Sequence, residues 1–249
     1  MKKVLLLFLA AALSVPAALA QNDSAIQAAV QKTLNASRFK DIHASVQGGV
    51  VTLTGSVDLF ATKMNADQKV RHVKGVGALR DDIQVNGPEI SDQELQQKLL
   101  KDITSQLWGY VPVQFQAISV EVHNGVVLLG GHAAGPVAAS DAVAVVENTK
   151  GVKDVIDDLQ VDPLSDLDER IRWQEFRSIY GYPVFSQYVM DPNKPIRIQV
   201  ANGHVTLYGV VANQTEKNAA GIRANSVPGV FSVTNDLQVA NASQEKPNK

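Results

Sequence analysis

An eight-residue pattern occurs three times in this chain and constrains its fold more than any other feature. The copies read Gly48-Gly49-Val50-Val51-Thr52-Leu53-Thr54-Gly55, Asn124-Gly125-Val126-Val127-Leu128-Leu129-Gly130-Gly131 and Asn202-Gly203-His204-Val205-Thr206-Leu207-Tyr208-Gly209. Each opens on an Asn-Gly or Gly-Gly pair between β-rich runs, the strongest short-range signal for a hairpin, because a type I′ turn needs positive φ at both central residues. Gly75, Gly151 and Gly229, each followed by valine, come 20 residues after the closing glycines Gly55, Gly131 and Gly209. A third run then follows: Asp82-Ile83-Gln84-Val85, Asp158-Leu159-Gln160-Val161 and Asp236-Leu237-Gln238-Val239. A repeat of this period decides architecture before any single residue does. The chain reads as three copies of one small module.

The modules are expected at 21–87, 91–162 and 165–240, with a flexible tail over 241–249. Each reads helix, hairpin, helix, strand. Ser24 with Gln27 fits a capping box for the first helix of the first module, and Ser91 with Glu94 does so more clearly in the second. Ser165 or Asp166 caps the third. The hairpin is antiparallel, and a helical crossover of this length delivers the last strand parallel. The fold class is α+β: three tandem αββαβ modules, each a three-stranded mixed sheet with two helices on one face. The third module departs by an aromatic, proline-punctuated insertion over 181–195.

Residues 1–20 carry Lys2 and Lys3, an apolar run from Val4 to Leu13, and Ala18-Leu19-Ala20 before Gln21, the three-part pattern of a cleaved secretory signal peptide. The apolar run is short for a spanning helix, and no later segment offers one. The expected product is exported and soluble, without a transmembrane span.

Chemistry is conspicuous by its absence. The chain has no cysteine, which removes disulfides, thiolate metal sites and cysteine nucleophiles. His43, His72, His123, His132 and His204 form no ligand spacing, although His123 and His132 are placed to face each other near the second hairpin. No serine sits in a nucleophile elbow, and the glycine pairs lack the Lys-Ser/Thr of a phosphate loop. No enzyme activity, cofactor or metal is expected. The recurrent glycines are fold-specifying, permitting a bulge, positive φ or close approach of the following helix. Formal net charge is −2, and −4 without Lys2 and Lys3, which argues against nucleic acid as partner.

Three copies of this pattern at fixed spacing resemble the BON domain family. The resemblance implies a periplasmic module without catalysis, associated with envelope and osmotic stress, with binding of phospholipid surfaces, and in some members with chaperone-like assistance to other envelope proteins. It supplies no catalytic residues to carry over.

Charge and aromatic placement bear on such binding. Residues 21–90, 91–164 and 165–249 carry net charges of +1, −6 and +1, so an anionic surface would repel the middle module. Two patches stand out as candidate lipid- or partner-binding sites. One is Lys63, Lys69, Arg71 and Lys74 around the second helix of the first module. The other is Arg170, Arg172, Trp173, Phe176, Arg177 and Tyr180 on the first helix of the third. There Leu167 and Ile171 define the core stripe, and Trp173 and Tyr180 fall on the far side. Either these rings meet a lipid interface or partner, or the Tyr182–Met190 insertion folds back over them. The leading expectation is peripheral binding to anionic phospholipid. The alternative is an adaptor for apolar segments of other envelope proteins.

Overall fold

The computed structural model describes residues 17–109, 112–190 and 195–240. Residues 1–16 of the expected leader and the 241–249 tail lie outside them. The chain divides into two compact units, 1–86 and 87–249.

In the first unit, α1 (Ala17–Thr33) precedes the hairpin β1 (Ile42–Gln47) and β2 (Val50–Val57), and α2 (Phe60–Arg71) leads to β3 (Ala78–Val85). β1 pairs antiparallel with β2, and β3 joins β2 in parallel. Alternation along β2 sends Val51, Leu53 and Val57 inward against Ile26, Val30, Ala66 and Val70 of the helices. Thr52, Thr54, His43 and Ser45 take the opposite face, which is polar apart from Val50 and Ala78 at its hairpin end. Ser24 does not cap α1. The helix-favouring run Ala17-Ala18-Leu19-Ala20 carries it back to Ala17, and Gln27 instead donates to Ala44 O at 2.8 Å.

The second unit holds the other two modules. One comprises α3 (Asp92–Leu107), β4 (Ala117–His123), β5 (Val126–Ala133), α4 (Pro136–Glu147), β6 (Asp154–Asp157) and β7 (Gln160–Val161). The other comprises α5 (Asp166–Tyr180), α6 (Ser186–Met190), β8 (Arg197–Ala201), β9 (His204–Tyr208), β10 (Val210–Val211), α7 (Gln214–Asn225), β11 (Ser232–Asn235) and β12 (Gln238–Val239). In both, the expected last strand is broken in two. Asp157 and Asn235 accept the N–H groups of Leu159 and Leu237, two residues ahead, and residues 158–159 and 236–237 leave the ladder there without a change of register. His123 pairs with Val126 and His132 with Ala117, so the two histidines stand at opposite ends of the hairpin and do not face each other.

The closing glycines have one structural reason. Gly55, Gly131 and Gly209 have φ of 118°, 84° and 129°, and a Cβ there would stand 2.0, 2.0 and 2.7 Å from the carbonyl oxygens of Asp41, Ala117 and Pro195. What crowds them is the backbone leading into the first strand, rather than the following helix.

A carboxylate on each first helix locks the hairpin turn. Asp23 accepts the N–H groups of Gly48 and Gly49 at 2.7 and 2.8 Å. Asp92 accepts those of Asn124 and Gly125 at 2.7 and 3.0 Å. Asp168, fully buried, accepts those of Asn202 and Gly203 at 2.9 and 2.7 Å. The two bonds hold the Asp92 carboxyl below its ordinary pKa.

Candidate functional site

The outward stripe of α5 combines exposed cations and an aromatic ring. Its N-terminus is fixed by the Ser165 cap on Asp168 N–H at 3.2 Å. Its core stripe, Ile171 and Ile179, packs on β8 and β9 around Ile198, Val200 and Leu207. Helical spacing then brings Arg170, Trp173 and Arg177, at i, i+3 and i+7, to one exposed face. Trp173 is 39% exposed, and its indole N–H donates to Glu169 Oε1 at 2.8 Å.

The other three residues of the patch face inward. Arg172 is 5% exposed and donates from Nη1 to Glu169 Oε2 at 3.0 Å and from Nη2 to Val200 O at 2.8 Å. Tyr180 is buried and donates to Ile196 O at 2.6 Å, its phenol held above the ordinary value by burial. Phe176 packs at a tilt against Tyr180 with ring centres 4.9 Å apart. The cover over these rings has two sources. Phe185 and Tyr188 from the insertion are buried in the same cluster. The second module adds Phe115, edge-on to Trp173 at 5.2 Å and to Phe176 at 6.2 Å. The aromatic side of α5 is therefore partly an intermodular contact.

The rest of that contact is polar. Gln199 Nε2 donates to Asp162 Oδ1 at 3.0 Å and lies 3.0 Å from His132 Nδ1. His132 also stacks on Tyr208 with ring centres 6.4 Å apart. Arg172 stands 3.9 Å from Asp162, and Arg197 of β8 donates to the carbonyl oxygens of Val113 and Gln116. Sequence reading named Arg172 and His132 for other roles and missed Phe115, Asp162, Arg197 and Gln199, because each belongs to one module and meets another. It missed the turn-locking aspartates for a related reason. Their offsets from the turns are 25, 32 and 34 residues, so no fixed-spacing search aligns them.

On the first module, Lys69 and Lys74 are exposed. Arg71 is paired with Asp67, its Nε 2.6 Å from the carboxylate. Lys63 is half-buried, donating to Ile83 O at 3.0 Å and lying 4.0 Å from Asp81. Two of that patch's four cations thus have internal partners. Among the described residues, no three His, Asp or Glu side chains are grouped to hold a metal ion. Among them, too, no helix is long and apolar enough to cross a membrane.

The BON domain family model matches residues 22–87, 91–163 and 184–241. The third match begins after α5. The chain is similar to the Osmotically-inducible protein Y of Escherichia coli (strain K12), 30% identical over 132 residues, which are 49% of this chain and 61% of that protein. The chain thus spans less than two thirds of that relative's length. Among solved structures it is similar to the C-terminal domain of CdsD, the structural protein of the Type III secretion system of Chlamydia trachomatis. That match has 13% identity and a TM-score of 0.25, over 85% of this chain and 96% of that one. A second structure of CdsD matches at 14% identity and a TM-score of 0.23, over 89% and 98%.

Proposed function

Because the chain belongs to the BON domain family, we propose that it is a non-catalytic envelope-stress protein, exported to the periplasm, that binds anionic phospholipid surfaces peripherally. The observation that carries this reading is the Arg170–Trp173–Arg177 stripe of α5, two exposed cations without an ion pair among the described residues flanking an indole on one helix face. Such a face suits the lipid headgroup layer, where the arginines meet phosphate and the ring lies at the polar–apolar boundary. Lys69 and Lys74 of the first module would add attraction. The family membership, the osmotic induction in the relative's name and the leader pattern of residues 1–20 support the stress and export parts of the reading.

Co-sedimentation with anionic and zwitterionic vesicles tests it. The expected result is binding to anionic vesicles alone, lost at high salt. The Arg170→Ala/Arg177→Ala variant removes two exposed cations and is expected to bind roughly ten- to thirty-fold more weakly, at about 1 kcal/mol per arginine. Vesicle binding unchanged in that variant would remove α5 from the reading. No sedimentation of the wild type at low salt would remove the membrane.

A second reading, an adaptor for apolar polypeptide segments, is favoured by a different surface, an open groove along α3 in the acidic middle module.

A further inference from the structure

A groove of about 800 Å³ runs along the outer face of α3, floored by Leu100, Lys101, Thr104, Ser105 and Trp108 and closed on one side by Arg197 of β8. It adjoins a small recess that shares Leu100, Thr104 and Arg197 and has apolar walls from Ile103, Leu107 and Ile118. Gln116 also lines the recess. It is 3% exposed, and its Nε2 has no hydrogen-bond partner, although its Oε1 accepts from Ala134 N–H at 3.4 Å. A buried amide donor left without a partner is costly, of the order of a lost hydrogen bond.

The charge of this surface is the inverse of its module. Residues 91–164 carry a net −6, yet among the described residues no carboxylate lines either the groove or the recess. Arg197 is desolvated enough for burial to lower its pKa, and among the described residues it bonds only to carbonyl oxygens. Lys101 is exposed at the rim, without an ion pair among the described residues. Trp108, 65% exposed, and Leu100, 37% exposed, supply the apolar surface. Donors without acids, set among apolar walls, suit a ligand that is apolar along its length and anionic at one end.

We infer that this groove binds the C-terminal carboxylate and last few residues of an apolar polypeptide segment, the carboxylate meeting Arg197 and Lys101. A peptide suits the groove better than an acyl chain does. Lys101, Thr104 and Ser105 alternate with the apolar residues, and a hydrocarbon would leave these polar groups unsatisfied. From Gln97 to Trp108 the helix spans roughly 16 Å, the length of about five extended residues. The inference deepens the adaptor reading and is independent of the lipid one.

Calorimetric titration of the full chain tests it with three probes: an acetylated Leu-Thr alternating hexapeptide with a free C-terminal carboxylate, the same hexapeptide as its C-terminal amide, and decanoate. The free acid is expected to bind and the amide to bind at least tenfold more weakly. Lys101→Glu alters only an exposed side chain, so the fold is retained, and it is expected to weaken the free acid at least tenfold. The Arg170→Ala/Arg177→Ala variant is expected to bind the free acid like wild type, which separates this site from the α5 stripe. Equal binding of acid and amide overturns the carboxylate assignment. Binding of decanoate with no binding of the free-acid peptide overturns the peptide assignment. Binding of none of the three overturns the groove as a site and, with it, the adaptor reading at this surface, while leaving the vesicle result untouched.

Discussion

Glu175 stands where the helical pattern of α5 calls for an apolar residue. It is fully buried, and neither carboxylate oxygen has a partner among the described residues. Burial pushes its pKa from the ordinary 4.5 up to about 8, so the folded protein carries it as the neutral acid at pH 7. The folded value is the higher one, so protonation favours the folded state. The resulting stabilisation is complete below pH 4.5 and is lost progressively as pH rises to about 8. Urea unfolding followed by tryptophan fluorescence reports on this unit alone, because Trp108 and Trp173 both lie within 87–249. The urea midpoint is expected to fall between those pH values. Glu175→Met, close in shape and without charge, is expected to flatten that slope and to raise stability by about 1–3 kcal/mol at pH 8. An unchanged slope in the variant would assign it to another group. Helical spacing from Ile171 and Ile179 sets Glu175 on the core stripe and Glu169 off it, yet a carboxylate among the arginines of one helix reads as a surface charge until its cover is known.

At the scale of the element, the hairpin with its closing glycine is the unit the chain repeats. Gly130 and Gly131 are adjacent and chemically identical, yet their roles differ. A Cβ at Gly131 would stand 2.0 Å from Ala117 O, whereas one at Gly130 would meet only Ser119 Oγ at 3.3 Å. Gly131→Ala is therefore expected to cost about 3 kcal/mol or more, and Gly130→Ala about 1 kcal/mol or less, in the same urea assay. Comparable losses at both positions would mean that the β4–β5 pair tolerates displacement at its end. The helices, the hairpins and the parallel return of the last strand were legible from apolar spacing and turn residues, because local periodicity controls them. The break between β6 and β7 was less so. Asp157 accepts the N–H of Leu159 there, but Asp81 accepts that of Ile83 in the same way inside the unbroken β3, so no residue type marks the break.

Across the whole molecule, the second and third modules share a seam that runs from Phe115, packed against Trp173 of α5, to Gln199 against His132 and Asp162. Phe115→Ala opens a cavity at that seam and is expected to cost about 3–4 kcal/mol. Hydrogen exchange is expected to quicken in β4–β5 and β8–β9 together, while β1–β2 in the other compact unit stays protected as before. Faster exchange confined to β4–β5 would show that the two modules open separately. Phe39 marks the corresponding position in the first module, two residues before the carbonyl that crowds the closing glycine, and it is 1% exposed within that module, beneath the Arg38 guanidinium. The sequence alone determined the repeat, the αββαβ order of each module and the family, because turn glycines and apolar periods act over a few residues and leave a local trace. Only the tertiary structure decided that one phenylalanine fills its own core while its counterpart reaches the next module, and that Arg172 and Tyr180 turn inward while Arg170, Trp173 and Arg177 face out. The physical reason is that burial depends on which surfaces meet, and no local spacing in the chain records the neighbour that covers a side chain.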